Sequence, residues 1–212
     1  MNKFSITFSS AGKRFNREWI FKNLNATFLS GKAYAITGPN GSGKSTLLQC
    51  LAGSIQLNSG SVLIQHSSEE KSFEISPENL YQYISVCAPY LELVEEMTAL
   101  ELLVFHQQFK DLRSGLTVTN ILNEIGLSKA GNKQIRHYSS GMKQRIKLAQ
   151  AIFADTPILL LDEPCTNLDK DGYALYHQLI NRYCQEKLVI ICSNEEAEIN
   201  FCKDRLNIVD YK

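Results

Sequence analysis

Gly38-Pro39-Asn40-Gly41-Ser42-Gly43-Lys44-Ser45 sets glycines, a lysine and a hydroxyl at the spacing G-x-x-x-x-G-K-[ST], and Thr46 adds a second hydroxyl. The residue types explain the spacing. Gly41 and Gly43 allow the backbone to curl with its N–H groups turned inward, where an anion can be cradled. A helix starting near Lys44 aims its positive end at that anion. Lys44 has the reach for the outer phosphates of a nucleoside triphosphate such as ATP. Ser45 is placed to coordinate Mg2+, and Thr46 lies beside the phosphates.

A second constellation follows at Ile158-Leu159-Leu160-Leu161-Asp162-Glu163, a buried-strand pattern that ends in two acids. In a phosphate-loop enzyme, an Asp at the end of such a strand helps to hold Mg2+, which gives Asp162 that role. Glu163, one residue on, is placed to polarise an attacking water.

The elements that must position these groups are legible in outline. Phe4–Phe8 and Trp19–Leu29 alternate as half-buried strands, and Ala33–Thr37 is a short apolar strand running into the glycine loop. The spacing of Leu47, Leu48 and Leu51 predicts a helix from Lys44 to about Gly53. Ser61–Gln65 and Ile84–Cys87 read as strands. Helical spacing then dominates, in Thr98–Phe109 and Thr117–Gly126, and residues 88–154 read as a mostly helical lobe. After it, strands and helices alternate: Ile158–Leu161, a helix over Lys170–Gln185, Leu188–Cys192, a short helix from Asn194, and a strand over Leu206–Val209. Continuous apolar strands alternating with helices predict an α/β fold whose parallel sheet is covered on both faces, with the N-terminal strands as an antiparallel flank. The length predicts one domain over 1–212: a core of 1–87 and 155–212, with the helical lobe inserted between.

Composition narrows the partners. Lys+Arg and Asp+Glu each number 22, so the formal net charge is zero, which argues against nucleic acid as the main partner. The six cysteines form no C-x-x-C pair and read as reduced thiols. Met1–Phe8 holds no apolar run of signal-peptide length, and no stretch has the roughly 18 apolar residues of a membrane span. Any work at a membrane requires another protein to hold the chain there.

Tyr138-Ser139-Ser140-Gly141-Met142-Lys143-Gln144-Arg145 resembles the signature motif of the ABC ATPases, usually Leu-Ser-Gly-Gly-Gln, with Ser139 and Gly141 kept and Ser140 and Met142 as departures. The order of phosphate loop, helical insertion, signature and Asp-Glu strand is similar to that family from end to end. Cys165-Thr166-Asn167-Leu168-Asp169 resembles its D-loop, with Asp169 as the acid. The resemblance implies an ATP-hydrolysing subunit that works with a separate integral membrane permease on the cytoplasmic face. It also implies a homodimer or pseudo-dimer in which Ser139 and Gly141 contact the ATP of the opposite chain. An aromatic residue usually stacks on adenine in that family, and Phe15 stands at the usual distance ahead of Lys44, with Trp19 as runner-up. Two positions depart from the pattern. Ala88-Pro89-Tyr90 stands where a Gln is usual, and Asn194 stands at the switch His, able to donate a hydrogen bond but not to become a cation. These departures leave open a low-turnover nucleotide-binding regulator; a soluble ABC ATPase acting on a non-transport partner is a separate alternative within the family.

Overall fold

The computed structural model describes residues 3–68 and 71–212. Met1 and Asn2, part of the N-terminal stretch read for a leader, lie outside them. Two sheets form. The larger has five parallel strands in the order β6-β7-β8-β3-β9: β3 (Lys32–Thr37), β6 (Ile84–Cys87), β7 (Ile158–Asp162), β8 (Leu188–Cys192) and β9 (Asp204–Asn207). All five residues of β7 and of β8 are buried, as expected of central strands covered on both faces. The smaller sheet is antiparallel, in the order β2-β1-β4-β5, from β1 (Lys3–Phe15), β2 (Glu18–Leu29), β4 (Ser59–Ser67) and β5 (Ser72–Glu74).

Alternate side chains of the parallel sheet feed two cores. Ile158, Leu160, Leu188, Ile190 and Ile36 point to one side, where they meet Leu47, Leu48 and Leu51 of α1 (Lys44–Leu51) and the Ile6, Phe8, Phe21, Leu24 and Phe28 face of the antiparallel sheet. The three α1 leucines are fully buried, each contributing about 1.5–3 kcal/mol by transfer alone. This packing is what fixes the helix carrying Lys44 and Ser45. Leu159, Leu161, Val189, Ile191 and Ala35 point to the other side.

The short α2 (Leu80–Tyr83) leads into β6. Between β6 and β7 lie α3 (Ala99–Gln107), α4 (Val118–Glu124) and α5 (Ser140–Ile152). Thr98 caps α3 in a capping box with Glu101, and Thr117 caps α4 with Asn120, which explains why both helices begin one residue after a threonine. The C-terminal end of α5 is tied to the sheet by buried polar bonds. Ser85 Oγ donates to the Ala151 carbonyl at 2.7 Å, and Lys187 Nζ donates to those of Ala154 at 2.7 Å and Ile152 at 3.2 Å. Burial pushes the Lys187 ammonium down to about 8. After β7 come α6 (Lys170–Tyr183), capped by Asp169, and α7 (Glu196–Ile199). All six cysteines are free and buried.

Two expectations are corrected. The last strand is not Leu206–Val209 but Asp204–Asn207. Ile208 leaves the strand into a 3-10 turn, Ile208–Tyr211, because its fully buried side chain packs against the glycine loop. The helix after β8 begins at Glu196, not at Asn194, whose side chain is engaged elsewhere.

Candidate active site

The loop between β3 and α1 holds its shape by close packing. Gly43 has φ of 107°, and a Cβ there would sit 2.2 Å from Ile20 Cγ2. Gly38 has φ of 143°, and its Cβ would meet Ser42 Oγ at 2.8 Å and Ile208 Cγ2 at 2.9 Å. Only glycine fits either position. Among the described residues no side chain caps the N-terminus of α1, and its first turn carries no acid, so the helix presents free N–H groups to the loop's interior.

Around this end lies a cleft of about 220 Å³, lined by Asn40, Gly41, Ser42, Gly43, Lys44, Ser45, Thr46, Ile20 and Glu163. Lys44 is buried, and its ammonium donates to the Gly38 carbonyl at 2.6 Å and the Pro39 carbonyl at 3.3 Å. The Ser42 hydroxyl is buried with no hydrogen-bond partner among the described residues. A cation, uncapped helical N–H groups and an orphaned hydroxyl converging on one cleft fit a phosphate chain.

Asp162 ends β7 with 2% exposure. Burial pushes its carboxyl upward; the Ser45 hydroxyl offsets this in part, Glu163 adds to it, and Lys44 opposes it. A buried carboxylate beside a hydroxyl fits a hard cation. Among the described residues no three His, Cys, Asp or Glu side chains converge to chelate a metal unaided. Mg2+ is usually bound through one or two carboxylates together with waters and substrate phosphates, which a single buried carboxylate beside a hydroxyl fits.

Glu163 is left-handed, with φ of 44°, a conformation that costs a non-glycine residue about 1–2 kcal/mol. Its N–H donates to the Cys192 carbonyl at 2.9 Å, and its own carbonyl accepts from Thr166 N at 3.1 Å and Thr166 Oγ1 at 2.8 Å. This turn takes Glu163 off the line of β7 into the cleft. It also lines a neighbouring cavity of about 320 Å³ with Asn40, Asn194 and Glu198. Asn194 is exposed, and its Oδ1 accepts from Gly38 N–H at 3.0 Å, so β8 is tied directly to the glycine loop.

Ser139 and Gly141 stand apart. Ser139 caps α5, with Oγ accepting from Met142 N–H at 3.2 Å. Together with Asp169 they line a cavity of about 460 Å³ that shares no residue with the phosphate cleft. Asp169 Oδ1 accepts from Gly172 N–H at 2.8 Å and lies 3.7 Å from the Arg145 guanidinium. Phe15 lies in neither group. It is 47% exposed at the end of β1, with Lys13 Nζ 5.0 Å from its ring centre. Trp19 is flanked by Arg14 and Lys22 at 5.5 and 5.3 Å. Where the usual Gln is missing, Lys147 Nζ donates to the Pro89 carbonyl at 3.0 Å. Burial raises the Tyr90 phenol, an effect that a hydrogen bond with Gln49 partly offsets.

Sequence reasoning missed Gln144 and Glu198. Both are buried polar side chains that hold the segment after Glu163. Gln144 left a signal, because it falls on the apolar stripe of α5 with Leu148, Ala151 and Ile152. Glu198 left none, being one of several acids after Asn194. Burial raises the Glu198 carboxyl, offset in part by the neighbouring Ser193 hydroxyl and the Cys165 N–H.

A glycine loop between a parallel strand and a helix, with an acidic pair at the end of β7, one strand removed in the same sheet, defines a phosphate-loop nucleotide-binding protein. The chain belongs to the ABC transporter family, whose sequence profile matches residues 21–166. It is 30% identical over 195 residues to the uncharacterized ABC transporter ATP-binding protein YybJ of Bacillus subtilis, covering 90% of this chain and 86% of that one. It is 29% identical over 187 residues to the lantibiotic transport ATP-binding protein SrtF of Streptococcus pyogenes, covering 86% and 76%. A putative ABC transporter ATP-binding protein from Pyrococcus furiosus shares the fold, with a TM-score of 0.80 at 17% identity over 98% of this chain and 99% of that one. No helix among the described residues is long and apolar enough to cross a membrane.

Proposed function

We propose that this chain hydrolyses ATP as one half of a two-domain sandwich and drives a separate membrane permease from the cytoplasmic face. The observation that carries this reading is Glu163, turned out of β7 into the cleft that also holds Lys44, Ser45 and the helical N–H groups. Lys44 exchanges its loop carbonyls for the β- and γ-phosphates, and Ser42 and Thr46 add hydroxyl donors. Ser45 and Asp162 hold Mg2+, which supplies charge neutralisation at the phosphate oxygens. Glu163 orients a water and accepts its proton. Phe15 offers an exposed ring on which adenine can stack.

Ser139 and Gly141 share no cavity with the phosphate cleft, which supports their reaching the nucleotide of a second copy rather than their own. Asp169 belongs with them. Residues 88–154 then act as the helical lobe of one ABC ATPase domain. Tyr90, Leu91 and Val94, with Val104 and Phe105 on α3 and Phe109 just after it, expose apolar surface on that lobe, which supports docking of the permease there. A second reading, a nucleotide-binding regulator with little turnover, is favoured by Asn194 in place of a switch His and by Pro89 and Tyr90 in place of the Gln.

Phosphate release and light scattering test the proposal together. The wild-type protein is expected to hydrolyse MgATP. Glu163→Gln is expected to be at least about tenfold slower, about 1.4 kcal/mol of barrier, and to double in mass with saturating ATP. Turnover in Glu163→Gln equal to wild type would refute the role of Glu163, and an unchanged mass would refute the sandwich. Negligible wild-type turnover with intact ATP binding favours the regulator.

A further inference from the structure

The peptide unit joining Pro164 to Cys165 is gripped at both polar ends by buried side chains. Gln144 Nε2 donates to its carbonyl, Pro164 O, at 2.7 Å. Glu198 Oε1 accepts from its N–H, Cys165 N, at 2.8 Å. Gln144 is 4% exposed and Glu198 2%, so both bonds are largely shielded from bulk water. This peptide lies one residue beyond Glu163. The ring of Pro164 locks one of the intervening torsions. On its other side, the Glu163 N–H is fixed to Cys192. The Glu163 carbonyl, on the intervening peptide, accepts from Thr166, so with the chain held on both sides little freedom is left at Glu163 itself, and a left-handed non-glycine residue persists only where its surroundings over-determine it.

The two gripping residues come from different elements. Gln144 sits on α5, the helix capped by Ser139, and Glu198 sits on α7, which follows Asn194. We propose that Gln144 and Glu198 act as a pair of positioning residues, clamping the Pro164–Cys165 peptide and thereby holding Glu163 in its reactive conformation. Neither touches the cleft that takes the phosphates. The clamp makes the geometry of Glu163 depend on the placement of α5 and α7 together. This assignment rests on the reading of Glu163 as the group that activates water.

The test is a double-mutant cycle on steady-state ATPase with Gln144→Met and Glu198→Met, near-isosteric changes that each remove the bond to the Pro164–Cys165 peptide; Gln144→Met also removes a weaker bond to Cys87 Sγ at 3.7 Å. Glu198→Gln serves as the conservative control, because its amide oxygen still accepts from Cys165 N–H. Each Met variant is expected to lose tenfold or more in kcat while KM for MgATP stays within about twofold, and Glu198→Gln to stay within about threefold of wild type. The double variant is expected to lose much less than the product of the single losses, because a peptide already freed at one end gains little from being freed at the other. Buried polar groups with a purely structural role would lower the melting temperature and leave kcat per folded molecule unchanged. That result, or strictly multiplicative losses, overturns the clamp. If Glu198→Met does not fold, the kcat-against-KM split of Gln144→Met decides. Glu163→Gln separates the two levels. A slow Glu163→Gln with unchanged kcat in both Met variants overturns the clamp alone, and wild-type turnover in Glu163→Gln overturns the reading of Glu163 and the clamp with it.

Discussion

Asn194 has two ends, and substitution can separate them. Its Oδ1 accepts from Gly38 N–H at 3.0 Å, while its Nδ2 makes no hydrogen bond among the described residues, and the residue lines the cavity shared with Glu163. Asn194→Ala deletes both ends. Loss of the exposed bond to Gly38 should cost about 0.5–1.5 kcal/mol, or about two- to tenfold in MgATP affinity as the loop loosens. Loss of a hydrogen bond from Nδ2 to a charged phosphate should cost about 1.5–3 kcal/mol, or about ten- to a hundredfold in turnover. Asn194→Asp is nearly isosteric and keeps the acceptor for Gly38, but replaces the donor with an anionic oxygen. If the donor matters, Asp is worse than Ala. If Asn194 only anchors the loop, Asp matches wild type. Asn194→His, a donor able to carry charge, should raise turnover. Fluorescent-nucleotide titration, phosphate release and melting temperature on the three variants give the comparison. Wild-type turnover in Asn194→Asp, with no gain in Asn194→His, would refute a role at the phosphate and leave only the anchor.

Lys44→Ala is expected to lose at least about a hundredfold in MgATP affinity or turnover, about 2.7 kcal/mol, with little change in melting temperature, because it removes the cation of the loop. Unchanged affinity would contradict its role. Phe15→Ala should weaken ATP binding by about five- to a hundredfold, the range of aromatic stacking on a base, while Phe15→Tyr should not. Its stability should be unaltered, given the exposure of the ring. Equal affinity in Phe15→Ala would move attention to Trp19. Burial lowers Lys187 to about 8 in the folded chain, against 10.5 when unfolded. Between those values the unfolded chain holds a proton that the folded chain has released, so this group's contribution to stability rises with pH. The unfolding free energy of wild type relative to Lys187→Met should therefore grow by about 2 kcal/mol between about pH 7.5 and about pH 9.5. Urea melts at both values measure it, the thiols cancel in the difference, and a flat difference would show that Lys187 stays charged.

The phosphate loop and the Asp162-Glu163 strand were legible because their chemistry restricts both residue type and spacing. The central strands were legible for a different reason: burial on both faces demands an unbroken apolar run, as in Leu188–Cys192. β1 was read only as far as Phe8 because its pairing slips between Phe8 and Ala11 and again before Arg14, and each bulge breaks the alternation that marks a strand. Ile208 misled in the opposite sense, since an apolar residue in step with Leu206 looked like strand while its side chain is spent on Gly38 and Gly43. Asn194 was read as the start of a helix, a local reading that a bond to a residue far away in sequence displaced. The same applies to Gln144 and Glu198, whose partners lie 20 and 33 residues away. Local pattern carries no record of such pairings.

The cysteines have a practical consequence. Each of the six is buried, and burial raises the thiols, with Cys50 and Cys184 pushed up to about 11 and Cys87 and Cys202 to about 12. Thiolate is the species that alkylating reagents attack, so the folded chain offers them almost none near neutral pH. A cysteine introduced at an exposed position such as Val104 would then be the one reactive thiol in the native protein. Spin labels, fluorophores and cross-linkers could be attached without first stripping the natural cysteines. Conversely, uptake of a maleimide by the unaltered protein would report its unfolding.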